Sequence, residues 1–107
     1  MIAYQSAAEA TPDDPIPIEK SAEIYERLGK ISESIQARED AADMYIRRKD
    51  AGKAVDNWRH IARLDPENLA ARSRLALTYE RLGRTRDSAM EYLSVAAILQ
   101  KADRKST

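Results

Sequence analysis

Apolar residues recur along this chain at helical spacing, and no stretch alternates with period two. Ile18, Ala22, Tyr25 and Leu28 step by four, three and three. That spacing puts them on one face and predicts a helix from about residue 16 or 18 to residue 28. A longer helix is predicted from residue 32 or 33 to about 48, with Ile35, Ala41, Ala42 and Tyr45 as its apolar face. Ala54, Val55, Trp58, Ile61, Ala62 and Leu64 mark a third, and Leu69, Leu75, Ala76, Tyr79 and Leu82 a fourth. The last starts near Arg86 or Asp87 and carries Ala89, Tyr92, Val95, Ala96 and Leu99. Ile2, Ala3, Ala7 and Ala10 suggest a short helix over residues 1–10, and the polar tail over 101–107 is expected to fray. The class is all-α.

Proline and glycine punctuate these segments. Pro15 and Pro17 sit where a helix begins, a position at which a missing N–H does little harm. Gly29 and Gly83 follow the first and fourth apolar faces and read as stops. Lys49-Asp50-Ala51-Gly52 reads as the turn between the second and third helices, and Asp65-Pro66-Glu67-Asn68 closes the third and opens the fourth.

The segments are not independent. Residues 25–29 and 79–83 are both YERLG, an offset of 79 − 25 = 54. The same offset maps Pro12 onto Pro66, Ala22 onto Ala76, Ser34 onto Ser88 and Ala42 onto Ala96. A shorter period lies inside it. Ala41, Ala42, Tyr45, Ala54, Trp58 and Ile61 in one window answer to Leu75, Ala76, Tyr79, Ser88, Tyr92 and Val95 in the next, with 79 − 45 = 34; Pro66 closes the first window and Gly83 lies within the second. These residues resemble the tetratricopeptide repeat (TPR), a helix pair repeating every 34 residues, and the chain as a whole is similar to bacterial TPR-array proteins. The resemblance implies a right-handed solenoid of antiparallel helix pairs over residues 1–107: an irregular first pair over about 15–49, then regular repeats over 35–66 and 69–100. The helix of residues 33–48 then serves as second member of one pair and first of the next, so that 54 is 34 + 20. Gln100 stands where a closing proline is expected. Ala22, Ala42, Ala62, Ala76 and Ala96 are expected at close helix approaches, with tyrosine and tryptophan filling the gaps between pairs. The expectation is that the chain is part of a longer array.

Composition narrows the function. With 18 basic and 18 acidic residues the net charge is zero, which disfavours non-specific nucleic-acid binding. Residues 1–53 carry 8 − 11 = −3 and residues 54–107 carry 10 − 7 = +3. The absence of cysteine removes disulfides, thiolate metal sites and a cysteine nucleophile. No signal peptide and no membrane span is legible, so a cytoplasmic location is expected. His60 is the one histidine; without a second His or a Cys it offers no metal set, and Asp56 four residues earlier is its expected partner. No catalytic residue, cofactor or metal site is therefore assigned. Gly29, Gly52 and Gly83 sit at helix ends and form no phosphate loop.

The resemblance instead implies a concave groove that holds a peptide or helix of a protein partner. Groove-facing positions of the two regular windows hold Glu39, Asp43, Ile46 and Arg47, then Ser73, Leu77, Glu80 and Arg81. Each could equally be part of an ordinary solvated helix face. Family members that clamp a C-terminal carboxylate use Lys and Asn at such places, and Glu39 and Asp43 would repel it. Arg72, Arg74, Arg81, Arg84 and Arg86 form a basic run that local acids could pair, or that could dock an acidic peptide or RNA phosphate, although no aromatic interleaving supports RNA because Tyr79 belongs to the expected core. The alternative function is a structural spacer within a larger repeat protein. Apolar residues toward both ends, Ile2, Tyr4, Ile98 and Leu99, raise the expectation of self-association through the end helices.

Overall fold

The computed structural model describes residues 14–106, and the expected helix over residues 1–10 lies outside them. The described residues form five helices and no strand: α1 (Ile16–Arg27), α2 (Ile31–Arg47), α3 (Ala51–Leu64), α4 (Leu69–Arg81) and α5 (Thr85–Ser106). Each packs on the next in the chain, and α2 is shared between α1 and α3. The α3–α4 contact is the least extensive of the four successive packings.

Short polar residues start three of the helices. Asp14 Oδ1 accepts from the Ile16 N–H at 3.0 Å, Asp50 from Lys53 at 3.3 Å, and Asn68 from Ala71 at 3.0 Å. Each meets a donor that the first helical turn leaves unpaired.

Three of the four connections are one turn, written three times. Gly29, Lys49 and Gly83 each lie four residues after a tyrosine, since 29 − 25, 49 − 45 and 83 − 79 are equal. In each the following N–H reaches back to the tyrosine carbonyl: Lys30 to Tyr25 at 2.8 Å, Asp50 to Tyr45 at 2.8 Å, Arg84 to Tyr79 at 2.9 Å. This closure requires a left-handed residue. Gly29 and Gly83 have φ 77°, and Lys49 has φ 61°. The helix stop after α2 is thus Lys49, while Gly52 lies within the first turn of α3. Distance from the tyrosine sets the turn, and Lys49 occupies the left-handed position without glycine's freedom.

The 54-residue duplication is also structural. Ser34 Oγ donates to the Ala22 carbonyl across the α1–α2 hairpin at 2.9 Å, and Ser88 Oγ donates to Ala76 across α4–α5 at 2.9 Å. At the corresponding place in the α2–α3 hairpin stand Ala42 and Ala54, both 0% exposed. Ala22 and Ala76 are likewise 0% exposed. The small side chains let each pair of backbones approach closely enough for the serine bond.

The main core lies among α2, α3 and α4. Tyr45, Trp58, Ile61, Leu75 and Tyr79 are its large members, with Ala42, Ala54, Ala62 and Ala71 between them and Ile35 at its edge. Each large side chain removed from water contributes about 1.5–3 kcal/mol before its ordering entropy is subtracted.

Two features of α5 differ from expectation. The helix begins at Thr85 and continues through the tail to Ser106, with Lys101 Nζ 2.6 Å from Glu67 Oε2 ahead of α4. Ala96, expected at a close approach, is exposed, and Leu99 beside it is 53% exposed. No described helix lies over that side of α5, so the small residue has nothing to approach.

Candidate partner-binding face

Glu39 and Asp43 lie one turn apart on α2. They line a cavity of about 60 Å³ with Trp58 of α3 and with Ala70, Ala71 and Arg74 of α4. Arg74 Nη1 lies 3.5 Å from Asp43 Oδ1, and its guanidinium sits 6.0 Å from the Trp58 ring centroid. The pair joins α2 to α4 directly, bypassing the helix between them in sequence. Burial holds the Glu39 carboxyl above the ordinary glutamate range, Asp40 and Asp43 add to the shift, and Arg74 offsets part of it. The site is acidic, half-buried and only partly neutralised.

The other expected groove residues surround this point without all meeting in it. Ile46 and Arg47 are exposed beyond Asp43 on α2, and Ser73, Leu77, Glu80 and Arg81 are exposed on α4. Leu77 is 43% exposed and Ile46 37%, so the face carries apolar as well as charged area. Glu80 Oε1 accepts from the Tyr92 hydroxyl at 3.1 Å, and that bond pushes the Tyr92 phenol up. The α4 wall of the cavity is Ala70, Ala71 and Arg74, so Arg74 joins the candidate set. Its role was legible only as one of a run of arginines.

That run is largely paired. Arg72 reaches Glu91 at 3.0 Å, Arg74 reaches Asp43, and Arg84 reaches Asp87 at 2.7 Å. Arg84 also lies over the Tyr79 ring, 4.7 Å from its centroid. Local acids, rather than an open basic stripe, describe these side chains.

A second polar region was not foreseen. His60 Nε2 lies 2.7 Å from Glu26 Oε1 of α1, so its partner is Glu26 rather than Asp56. The residue four positions back on the same helix loses to one on a neighbouring helix that faces the imidazole directly. The bond to His60 holds the Glu26 carboxyl below the ordinary range. Nearby, Asn57 is 1% exposed and donates to Glu19 Oε2 at 2.9 Å and to the Lys53 carbonyl at 3.0 Å. Arg38 Nη1 donates to Asn57 Oδ1 at 3.2 Å, and the Tyr45 hydroxyl donates to Glu19 Oε1 at 2.7 Å. Burial, then the Glu19 bond, pushes the Tyr45 phenol up to about 12. Of these residues Glu19, Arg38, Asn57 and His60 line an open cavity of about 310 Å³ between α1, α2 and α3. The bonds tie α1 to α3 and satisfy the buried amide. The repeat offset held the signal: Glu19 and Glu26 correspond to Ser73 and Glu80, since 19 + 54 = 73 and 26 + 54 = 80.

Among the described residues, no group of three or more His, Cys, Asp and Glu is placed to hold a metal ion, and no helix is long and apolar enough to cross a membrane.

No protein-family model matches the chain, and no curated protein matches it. Among solved structures, the crystal structure of MamA is similar to it, with a TM-score of 0.53 at 17% identity. The match covers 90% of this chain and 64% of that one, so the chain spans less than two thirds of its structural neighbour. The fold is TPR-like. At this identity the likeness concerns the path of the helices, and nothing about a ligand follows from it.

Proposed function

We propose that this chain is a non-enzymatic protein-interaction scaffold that holds a peptide or helix of a partner on the face shared by α2 and α4. The observation that carries the reading is the small cavity that α2 and α4 line together, spanned by the Asp43–Arg74 pair. Around that joint Ile46, Arg47, Ser73, Leu77, Glu80 and Arg81 remain open to solvent. A preformed face of this kind lowers the ordering cost of association. Leu77 and Ile46 supply the apolar contact. The partly neutralised Glu39 and Asp43 favour a basic side chain of the partner and disfavour a terminal carboxylate.

The experiment is capture of partners from an extract of cells that express the protein. Wild type is compared with the double variant Glu39→Ala, Arg81→Ala, with helix content checked by circular dichroism. Loss of a specific partner with the fold retained is the expected outcome. Retention of every partner would remove the support for the α2–α4 face and favour a spacer role.

A further inference from the structure

We infer that the open cavity between α1, α2 and α3 binds a phosphate group, free or on a small molecule, held by Arg38, Arg59 and Arg63. The cavity measures about 310 Å³, at the lower end of the range for small-molecule sites. No apolar side chain lines it, so it favours a charged ligand over an apolar one. Arg38 enters from α2, while Arg59 and Arg63 stand one turn apart on α3. Among the described residues, no carboxylate lies within ion-pair distance of any of the three. The lining acids are Glu19 and Asp56, two carboxylates against three guanidiniums. Both oxygens of Glu19 are already engaged, one by the Tyr45 hydroxyl and one by the Asn57 amide. Glu26, which feels the charges of Arg38 and Arg63, is held by His60 at 2.7 Å.

The second repeat supplies an internal control. Adding 34 to Arg38 and Asn57 gives Arg72 and Glu91. The same bridge forms in both: Arg72 Nη1 donates to Glu91 Oε1 at 3.0 Å, and Arg38 Nη1 donates to Asn57 Oδ1 at 3.2 Å. Where the later arginine meets a carboxylate, the earlier one meets a neutral amide. Arg38 Nε is also buried with no acceptor, the one such side-chain atom among the described residues. A half-buried guanidinium bonded only to a neutral group keeps its full charge, and that charge is costly unless an anion lies nearby. Adding 34 to Arg59 and Arg63 gives Leu93 and Ala97, both exposed. The repeat fold therefore requires neither arginine at its place on the helix, and the set of three belongs to the first repeat alone. A phosphate suits that set better than a carboxylate does, because it offers more oxygens and more charge to several guanidinium forks at once. None of these residues lines the cavity shared by α2 and α4, so the site stands apart from the proposed partner-binding face.

The test is a titration of the isotope-labelled whole chain with inorganic phosphate, read by backbone amide shifts at fixed pH and ionic strength, with chloride as the balancing anion. Saturable shifts are expected at Arg38 and along α3 from Asp56 to Arg63, with a Kd of about 1 mM or tighter. Glycerol 3-phosphate is titrated in parallel. Tighter binding of the ester identifies a phosphorylated small molecule as the ligand, equal or weaker binding identifies the free ion, and either supports the site. The double variant Arg59→Gln, Arg63→Gln changes two exposed side chains, so it is expected to keep the wild-type helix content. It is expected to bind phosphate at least about tenfold more weakly. Arg86→Gln, on α5 and outside the cavity, is expected to bind as wild type does. Shifts that rise without saturating overturn the proposal, as does undiminished affinity in the double variant. Acetate binding as tightly as phosphate also overturns it, because the cavity would then be a carboxylate site.

Discussion

The α1–α2 and α4–α5 hairpins are built alike and used differently. Both turn on a glycine at φ 77°, and both carry a serine bond of 2.9 Å to an alanine carbonyl twelve residues earlier. The α1–α2 hairpin has α3 beside it: Glu19 meets Asn57, Glu26 meets His60, and Ala41 and Ala42 of α2 are 0% exposed. The α4–α5 hairpin presents the same positions to solvent. Ser73 and Glu80 stand where Glu19 and Glu26 do, and the residues answering to Ala42 and Tyr45 are the exposed Ala96 and Leu99. Hairpin geometry is thus a local property, written in a few small residues and one turn. Binding capacity is a property of what lies over the hairpin.

The sharpest way to break this comparison uses Trp58 and Tyr92, equivalent positions 34 residues apart. Trp58→Ala opens a buried site and is expected to lower unfolding stability by about 3–5 kcal/mol in urea titration. Tyr92→Ala, on the uncovered face, is expected to cost below about 1 kcal/mol. Similar losses at both would mean that α5 is covered after all. Next in size are the three turns. A Cβ at Gly29 or Gly83 meets no atom within 4 Å, so alanine there pays only for the left-handed backbone. Each change is expected to lower stability by about 1–2 kcal/mol. Lys49→Gly is expected to do the reverse, raising stability by up to about 1 kcal/mol and the melting temperature with it. A loss on Lys49→Gly would show that the lysine side chain outweighs its backbone strain.

These contrasts also show what the sequence could and could not disclose. Helix order was legible because the apolar faces step at helical spacing, and the buried alanines were legible because YERLG fixes their register. Lys49 was hidden because the glycine expected at the stop stands three residues later, inside α3. The polar ties of α1 to α3 were hidden for another reason. Glu19, Glu26, Asn57 and His60 are far apart in sequence, and no periodicity relates an acid on one helix to a donor on a non-adjacent one. Ala96 shows the limit from the other side: the repeat marks it for close packing, but the chain beside it decides whether packing occurs.

The smallest expected effect sharpens the covered side of the comparison. Because Glu26 has a folded pKa below its ordinary value of 4.5, its bond to His60 contributes stability above that value. The contribution is lost as pH falls through the lowered folded value. Glu26→Gln lacks this titration, so the stability difference between wild type and variant is expected to shrink as pH falls from neutral to below 4.5. Urea titrations at a series of pH values read it directly, and a difference that stays constant would place the stabilisation elsewhere.

The proposal that the α2–α4 face receives the partner is tested most directly by site-specific photocrosslinking. A photoreactive amino acid replaces Leu77 on that face, or Arg63, exposed on α3 away from it, in cells that express the protein. The account predicts a discrete adduct with another protein from position 77 and none from position 63. Adducts from 63 with none from 77 would contradict it.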